Sequence, residues 1–280
     1  MFVLQPIFHK TIWGGGKLIS VYGEDARGVA HLYSLRCKDE NSNIILNGKF
    51  AGRRLYEVIG PYPLSIALVD AAENLSVQVH PGGESAKYES YFFIDAPVSG
   101  SVYCGTDGMP REEIRRLAES GALLSHIKRL AVKDGDYVFI EPRTVHALTA
   151  GSFVYEIEEG NDCTYRLFDY NRTDADGKVR ELQTERAAEV LDPSKEAVVR
   201  GYRPNTPVTE KTYETRLLTD ISAFHNHEPN DECLTLLSGD AVIDGIQLKT
   251  GMSVLMEPGE SVENVSIGRC IVARALMNGA

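Results

Sequence analysis

Residues 134–146 read DGDYVFIEPRTVH, and residues 250–262 read TGMSVLMEPGESV. Both run glycine, six residues, proline and four further positions, so Gly135 pairs with Gly251, Glu141 with Glu257 and Pro142 with Pro258. Each is a β-branched and aromatic run bounded by turn residues, the mark of a strand that ends in a proline turn. A unit met twice in one chain points to two related β-barrels. His146 of the first copy stands where Val262 stands in the second. One barrel thus keeps a chemically useful side chain at a position the other gives to packing.

The rest of the chain agrees with this. Similar short runs recur as NIILNG, SVQVHP, SYFFID, SFVYEIEE, CTYRLFDY, AVIDG and RCIVARAL. Two stretches read as helix. In residues 109–130, MPREEIRRLAESGALLSHIKRL, Pro110 suits a first turn, and Ile114, Leu117 and Ala118 share a face. In residues 181–191, ELQTERAAEVL, the apolar positions are Leu182, Ala187, Val190 and Leu191. The expected fold is all-β, two jelly-roll barrels with a few helical insertions. Residues 1–200 are expected to form the catalytic barrel with the helical insertion, and residues 201–280 a smaller, degenerate one. The join is expected near DPSKEAVVRGYRPNTPVTEK, residues 192–211, where prolines and charges cluster.

At 280 residues the chain is long enough for a well-buried core. A formal net charge of -11 argues against nucleic acid or an anionic membrane surface as the main partner. It leaves room for a phosphorylated small molecule, which a few local cations can hold. No apolar run approaches the roughly 20 residues of a membrane helix, and the N-terminus lacks a signal-peptide pattern. The five cysteines are scattered and never spaced C-x-x-C, so a disulfide framework or zinc knuckle is not expected. The expected compartment is the cytoplasm.

Residues 75–94 read LSVQVHPGGESAKYESYFFI. Gln78 and His80 lie two apart on a strand and project to one face, with Val77 and Val79 on the other. A hairpin through PGGESAK can bring Glu89 back beside them, and His146 closes the motif on another strand. An amide oxygen, two imidazoles and a carboxylate suit zinc or another divalent transition metal. Such a site keeps net positive charge and can act as a Lewis acid on a substrate oxygen. The alternative is a hairpin with polar residues on its outer face. His9, His31, His126, His225 and His227 gain nothing from their spacing.

Residues 156–172 read EIEEGNDCTYRLFDYNR. Thr164 and Arg166 share one strand face. An arginine aimed into a barrel needs an anion, either Asp162, Glu158 or Asp169, or an oxyanion of a substrate. The alternative is a solvent-facing strand of ion pairs.

Taken in order, PIFHKTIWGG, PLSIALVDAAENLSVQVHP, AKYESYFFI, GDYVFIEPRTVHAL and NDCTYRLFDYNR resemble type I mannose-6-phosphate isomerases in their short bacterial form, members of the cupin superfamily. These stretches cover most of the first 175 residues. The last third resembles the family only in length and as a second jelly roll. The resemblance implies a zinc site at Gln78, His80, Glu89 and His146, with the catalytic arginine at Arg166. It implies interconversion of mannose 6-phosphate and fructose 6-phosphate, a proton moving between C1 and C2 through an enediol. A metal and Arg166 can both stabilise that intermediate's negative charge. Lys87, two residues before Glu89, can meet phosphate or assist proton transfer. The base is left open between Lys87, a carboxylate and a metal-bound water.

The chain departs from the family at several positions. Ala67 stands where a lysine is usual. Val29 and His31 replace the glutamate and tryptophan of a G-E-x-W-x-x-S segment that keeps Ser34. Ala86 replaces a glycine. These changes bear on the sugar rather than the metal. They leave two alternatives: an isomerase or epimerase of another sugar or sugar phosphate, and a non-catalytic cupin that binds metal and sugar.

Overall fold

Alternation along the strands builds three stacked sheets. The structure, a computed structural model, describes residues 1–173 and 177–276. Residues 277–280, the end of the second expected barrel, lie outside the described residues. The central sheet is antiparallel, in the order Val198–Gly201, Asp136–Ile140, Lys87–Asp95, Phe153–Gly160, Leu64–Asp70, Val29–Leu35 and Ile7–Gly15. A five-stranded sheet faces one side of it: Tyr165–Phe168, Val77–Val79, His146–Ala147, Ser101–Cys104 and Arg129–Ala131. A second large sheet covers the other side, led by Tyr213–His225, Ser261–Ala275, Glu232–Asp240 and Ser253–Met256.

The central strands are buried on both faces, so their period of two sorts residues into two cores. Leu64, Ile66 and Leu68 join Phe92, Tyr155 and Ile157 against Leu217, Leu237 and Ile271 of the second large sheet. Ala67 and Val69 join Tyr91, Phe93 and Val154 toward the five-stranded sheet. Each such fully buried large side chain contributes about 1.5–3 kcal/mol. Ser90 Oγ links the two large sheets, sharing hydrogen bonds with the hydroxyls of Tyr137 at 2.6 Å and Tyr213 at 2.5 Å.

Two helices, Arg111–Glu119 and Thr184–Val190, close the outer face of the five-stranded sheet. Ile114, Leu117, Ala118, Ala187 and Leu191 pack over Val77, Val79, Ala147 and Leu167. That cover is why Gln78 and His80 turn inward. The first helix is shorter than its sequence pattern. Pro110 caps it from outside, and Gly121, at φ 75°, ends it before a strand at Arg129–Ala131. Leu182 is exposed and precedes the second helix.

The repeat is visible in the backbone. Gly135 at φ 83° and Gly251 at φ 87° sit in the left-handed region that glycine adopts freely. They open the strands Asp136–Ile140 and Ser253–Met256. His146 then faces the space between sheets, whereas Val262 is buried in a separate core with Phe224, Val254 and Met256. The fold is all-β, two jelly-roll barrels with helical insertions. The first strand, Phe2–Gln5, pairs with Ser253–Met256 in the second large sheet. The stretch 192–211 supplies Val198–Gly201 to the central sheet and Val208–Thr209 to the second. Among the described residues no helix is long and apolar enough to cross a membrane.

Candidate metal centre and its pocket

The five-stranded sheet and the inner face of the central sheet enclose a cavity of about 520 Å³. His146 and Arg166 are the direct partners of Gln78 on its two flanking strands. Direct partners point to one side of a sheet, so these three form a row, and His80 joins that side two residues on. The facing wall carries Lys87, Glu89 and Tyr91 on one strand and Glu156 and Glu158 on the next, with Glu158 opposite Glu89. The expected hairpin through PGGESAK does not form. Val77–Val79 and Lys87–Asp95 belong to different sheets, because Pro81 ends the short strand and the Gly82-Gly83 pair lets the chain cross the gap. Glu89 therefore meets the histidines from the opposite wall.

His80 Nδ1 lies 2.9 Å from the carbonyl oxygen of Cys163, and His146 Nδ1 lies 2.9 Å from that of Thr144. A carbonyl only accepts, so each Nδ1 carries a proton and donates it. Burial holds His80 below the ordinary imidazole range, so its ring is neutral at pH 7. Its Nε2 then aims a bare lone pair at Glu89 Oε1, 3.0 Å away, while His146 Nε2 lies 3.1 Å from Oε2. Both Nε2 atoms are buried without a hydrogen-bond partner among the described residues. Lone pairs facing a carboxylate repel when all of them are buried. A divalent cation among them removes the conflict, and Nδ1 anchored to backbone is the outer support that metal-binding histidines use. The three ligand atoms lie within 4.8 Å of one another. Gln78 Oε1 accepts from Ser76 Oγ at 3.3 Å at the same pocket wall. The donor set fits zinc.

Lys87 Nζ donates to Glu158 Oε1 at 2.5 Å and lies 2.7 Å from Glu89 Oε1. Burial alone would lower its pKa. The carboxylates of Glu158, Glu89 and Glu156 outweigh burial and hold the ammonium well above its usual range. The Tyr91 hydroxyl donates to Glu89 Oε2 at 2.7 Å. Glu156 is in the opposite situation. Burial and the charges of Glu158 and Glu89 push it well above the carboxylate range, and its Oε2 has no hydrogen-bond partner among the described residues. Its direct partner on the next strand is Ala67, so the methyl group leaves no cation there. His31 Nε2 stands 3.9 Å from Glu156 Oε2. Burial, with the charges of His9 and Lys87, pushes the His31 imidazole down to about 3. Val29 is core. Ala86 has φ -60° and ψ 142°, a conformation that needs no glycine.

Arg166 finds none of its three expected anions free. Asp162 accepts from Lys38 Nζ at 2.5 Å and Arg36 Nη1 at 3.1 Å. Glu158 holds Lys87. Asp169 holds Arg172 and Arg180. Among the described residues no carboxylate pairs with Arg166, and its Nε is buried without a partner. Burial and nearby Arg180 lower its pKa, yet a guanidinium stays charged. The residues that spacing overlooked are Glu156, Tyr91, Arg36 and Lys38. Glu156 sits two before Glu158, and Tyr91 two after Glu89, the same signal that singled out Gln78 and His80. Arg36 and Lys38 flank a strand end and carry no local signal.

No protein-family model matches the chain. Mannose-6-phosphate isomerase ManA of Bacillus subtilis is 30% identical over 210 residues, 67% of this chain and 67% of that one. The mannose-6-phosphate isomerase of Streptococcus mutans is 29% identical over 216 residues, 69% of this chain and 68% of that one. A solved mannose 6-phosphate isomerase from Bacillus subtilis shares the fold, with a TM-score of 0.75 at 21% identity over 99% of both chains. A zinc-bound mannose 6-phosphate isomerase also shares it, with a TM-score of 0.63 at 13% identity over 99% of both chains. By its match to ManA along two thirds of both chains, the protein belongs to the mannose-6-phosphate isomerase family.

Proposed function

We propose that the protein is a metal-dependent aldose–ketose isomerase that interconverts mannose 6-phosphate and fructose 6-phosphate through an enediol. Gln78, His80, Glu89 and His146 hold the metal, and Arg166 and Lys87 meet the substrate. The observation that carries this reading is the pair of buried imidazole Nε2 atoms, 3.0 and 3.1 Å from the two oxygens of one buried carboxylate. Zinc, or another divalent transition metal, supplies there a Lewis acid that favours negative charge on sugar oxygens. Arg166, charged and paired with no carboxylate among the described residues, receives the negative charge that develops as the C2 or C1 proton leaves. Lys87, fixed as an ammonium by Glu158 and Glu89, donates from Nζ and is no base at neutral pH. The proton then falls to a carboxylate or a water on the facing wall.

The residues that line the cavity run from Ile7 to Arg180, which supports residues 1–200 as the catalytic unit. The five cysteines are free, which supports a reducing, cytoplasmic setting. A different sugar phosphate is the second reading, favoured by Ala67 opposite Glu156. A coupled assay of zinc-loaded protein distinguishes the two. Conversion of mannose 6-phosphate to fructose 6-phosphate supports the first. Its absence, with turnover of another sugar phosphate, moves the assignment to the second.

A further inference from the structure

We propose that the gap between His31 and Glu156 is a subsite for a hydroxyl of the sugar, and that His31 is a specificity-determining residue of this chain. The proposal rests on the sugar-phosphate reading above. His31 Nε2 and Glu156 Oε2 are 3.9 Å apart, too far for a hydrogen bond between them. One oxygen can still touch both at ordinary lengths, about 2.7–3.2 Å to nitrogen and 2.5–3.0 Å to oxygen. Glu156 is 6% exposed, and its Oε2 has no hydrogen-bond partner among the described residues. A hydroxyl both donates and accepts, so it satisfies a carboxyl and a ring nitrogen at once. A phosphate does not suit this end of the pocket. Carboxylate oxygens of Glu89, Glu156 and Glu158 lie within 4.8 Å of one another there, and a further anion is repelled. That leaves the gap to a hydroxyl-bearing carbon of the sugar rather than to its phosphate.

The ring is also held in place. His31 stacks on Tyr33 at 5.4 Å with planes 5° apart, and Trp13 meets it edge-on at 5.2 Å. A ring locked by packing presents its nitrogen at low entropic cost. Two of the departures from the family, Ala67 and His31, meet at this point. Ala67 lies between Tyr33 and Glu156 in the sheet register. A lysine at 67 would neutralise Glu156, and a tryptophan at 31 would fill the gap.

The test uses zinc-loaded protein and two probes that do not react, sorbitol 6-phosphate and inorganic phosphate, with binding read by calorimetry. His31→Phe keeps the ring and its stack but loses both nitrogens. It should weaken sorbitol 6-phosphate about tenfold or more, with inorganic phosphate binding and zinc content unchanged. Glu156→Gln should weaken the polyol similarly, and the double variant should lose no more than the worse single, since both serve one hydroxyl. His31→Asn, which returns a polar atom, should recover part of the loss and covers the case in which His31→Phe does not fold. Equal polyol binding by parent and His31→Phe overturns the subsite, as do additive losses or a parallel loss of inorganic phosphate. Turnover of mannose 6-phosphate is read separately. A parent that turns over but shows no His31 dependence refutes the subsite alone. A parent with no turnover but His31-dependent polyol binding refutes the mannose 6-phosphate assignment alone.

Discussion

Lys87→Met keeps an unbranched side chain of similar reach and removes its charge. That charge is buried, with the side chains of Lys87 and Glu158 each 8% exposed and Glu89 2%. Nζ sits 2.5 Å from Glu158 and 2.7 Å from Glu89. The exchange strands both carboxylates beside Glu156, which has no cation of its own. Removing one partner of a buried pair costs about 3–5 kcal/mol, or about two to four powers of ten in the folding equilibrium at roughly 1.4 kcal/mol per decade. Urea unfolding of parent and variant, both chelated so that metal release adds nothing, should show a loss of that size. Adding Glu158→Gln should recover about half of it, because one of the two stranded charges is gone. A single-variant loss below about 1 kcal/mol, the worth of an exposed pair, would show that Lys87 is solvated and that the network is not a buried one. A double variant with no recovery would place the cost in packing instead.

Arg166→Ala should retain its metal and lose about a hundredfold or more in turnover, checked by metal analysis beside the coupled assay; loss of metal would contradict the separation of roles. Lys38 and Arg36 hold Asp162 below the ordinary carboxylate range against the opposing effect of burial. A depressed folded pKa stabilises above the unfolded value and is lost as pH falls through the folded one. Asp162→Asn should therefore be less stable than the parent at pH 7, with the difference closing below about pH 4. Added salt should shrink the difference, since the Asp162 side chain is 44% exposed, and a gap independent of pH would refute the pairing. Gly135→Ala and Gly251→Ala both force alanine into the left-handed region at about 1–2 kcal/mol. A Cβ on Gly251 also meets Leu32 Cδ2 at 2.8 Å and Leu68 Cδ1 at 2.9 Å, while one on Gly135 meets nothing. Gly251→Ala should lose about 1–3 kcal/mol more in chemical denaturation; equal losses would contradict the packing of the second copy under the central sheet.

Much of the site could be read locally because a strand repeats every two residues. That period placed Gln78 with His80 and Thr164 with Arg166, and the repeated glycine and proline marked both barrels. What local pattern does not carry is register between distant strands. Ala67 opposite Glu156 is a fact of the sheet, and only that pairing shows that the missing lysine leaves a carboxyl unpaired. The same limit hid the fate of Arg166, since its three expected partners are claimed by Lys38, Lys87 and Arg180 from other elements. The crossing after Pro81 looked like a hairpin because both a turn and a sheet-to-sheet crossing use Gly-Gly. The long strand Tyr213–His225 carries no continuous alternation in the sequence, because a register shift between Ile221 and Ala223 breaks it.

The central claim is that isomerisation depends on one metal held by Gln78, His80, Glu89 and His146. The most direct measurement is a titration of zinc into chelated protein, with mannose 6-phosphate turnover followed at each addition. Turnover should be absent in the chelated protein, rise linearly and level off at about one zinc per chain, and His80→Ala should show no such rise. Full turnover by the chelated parent, or an undiminished titration by His80→Ala, would contradict the account.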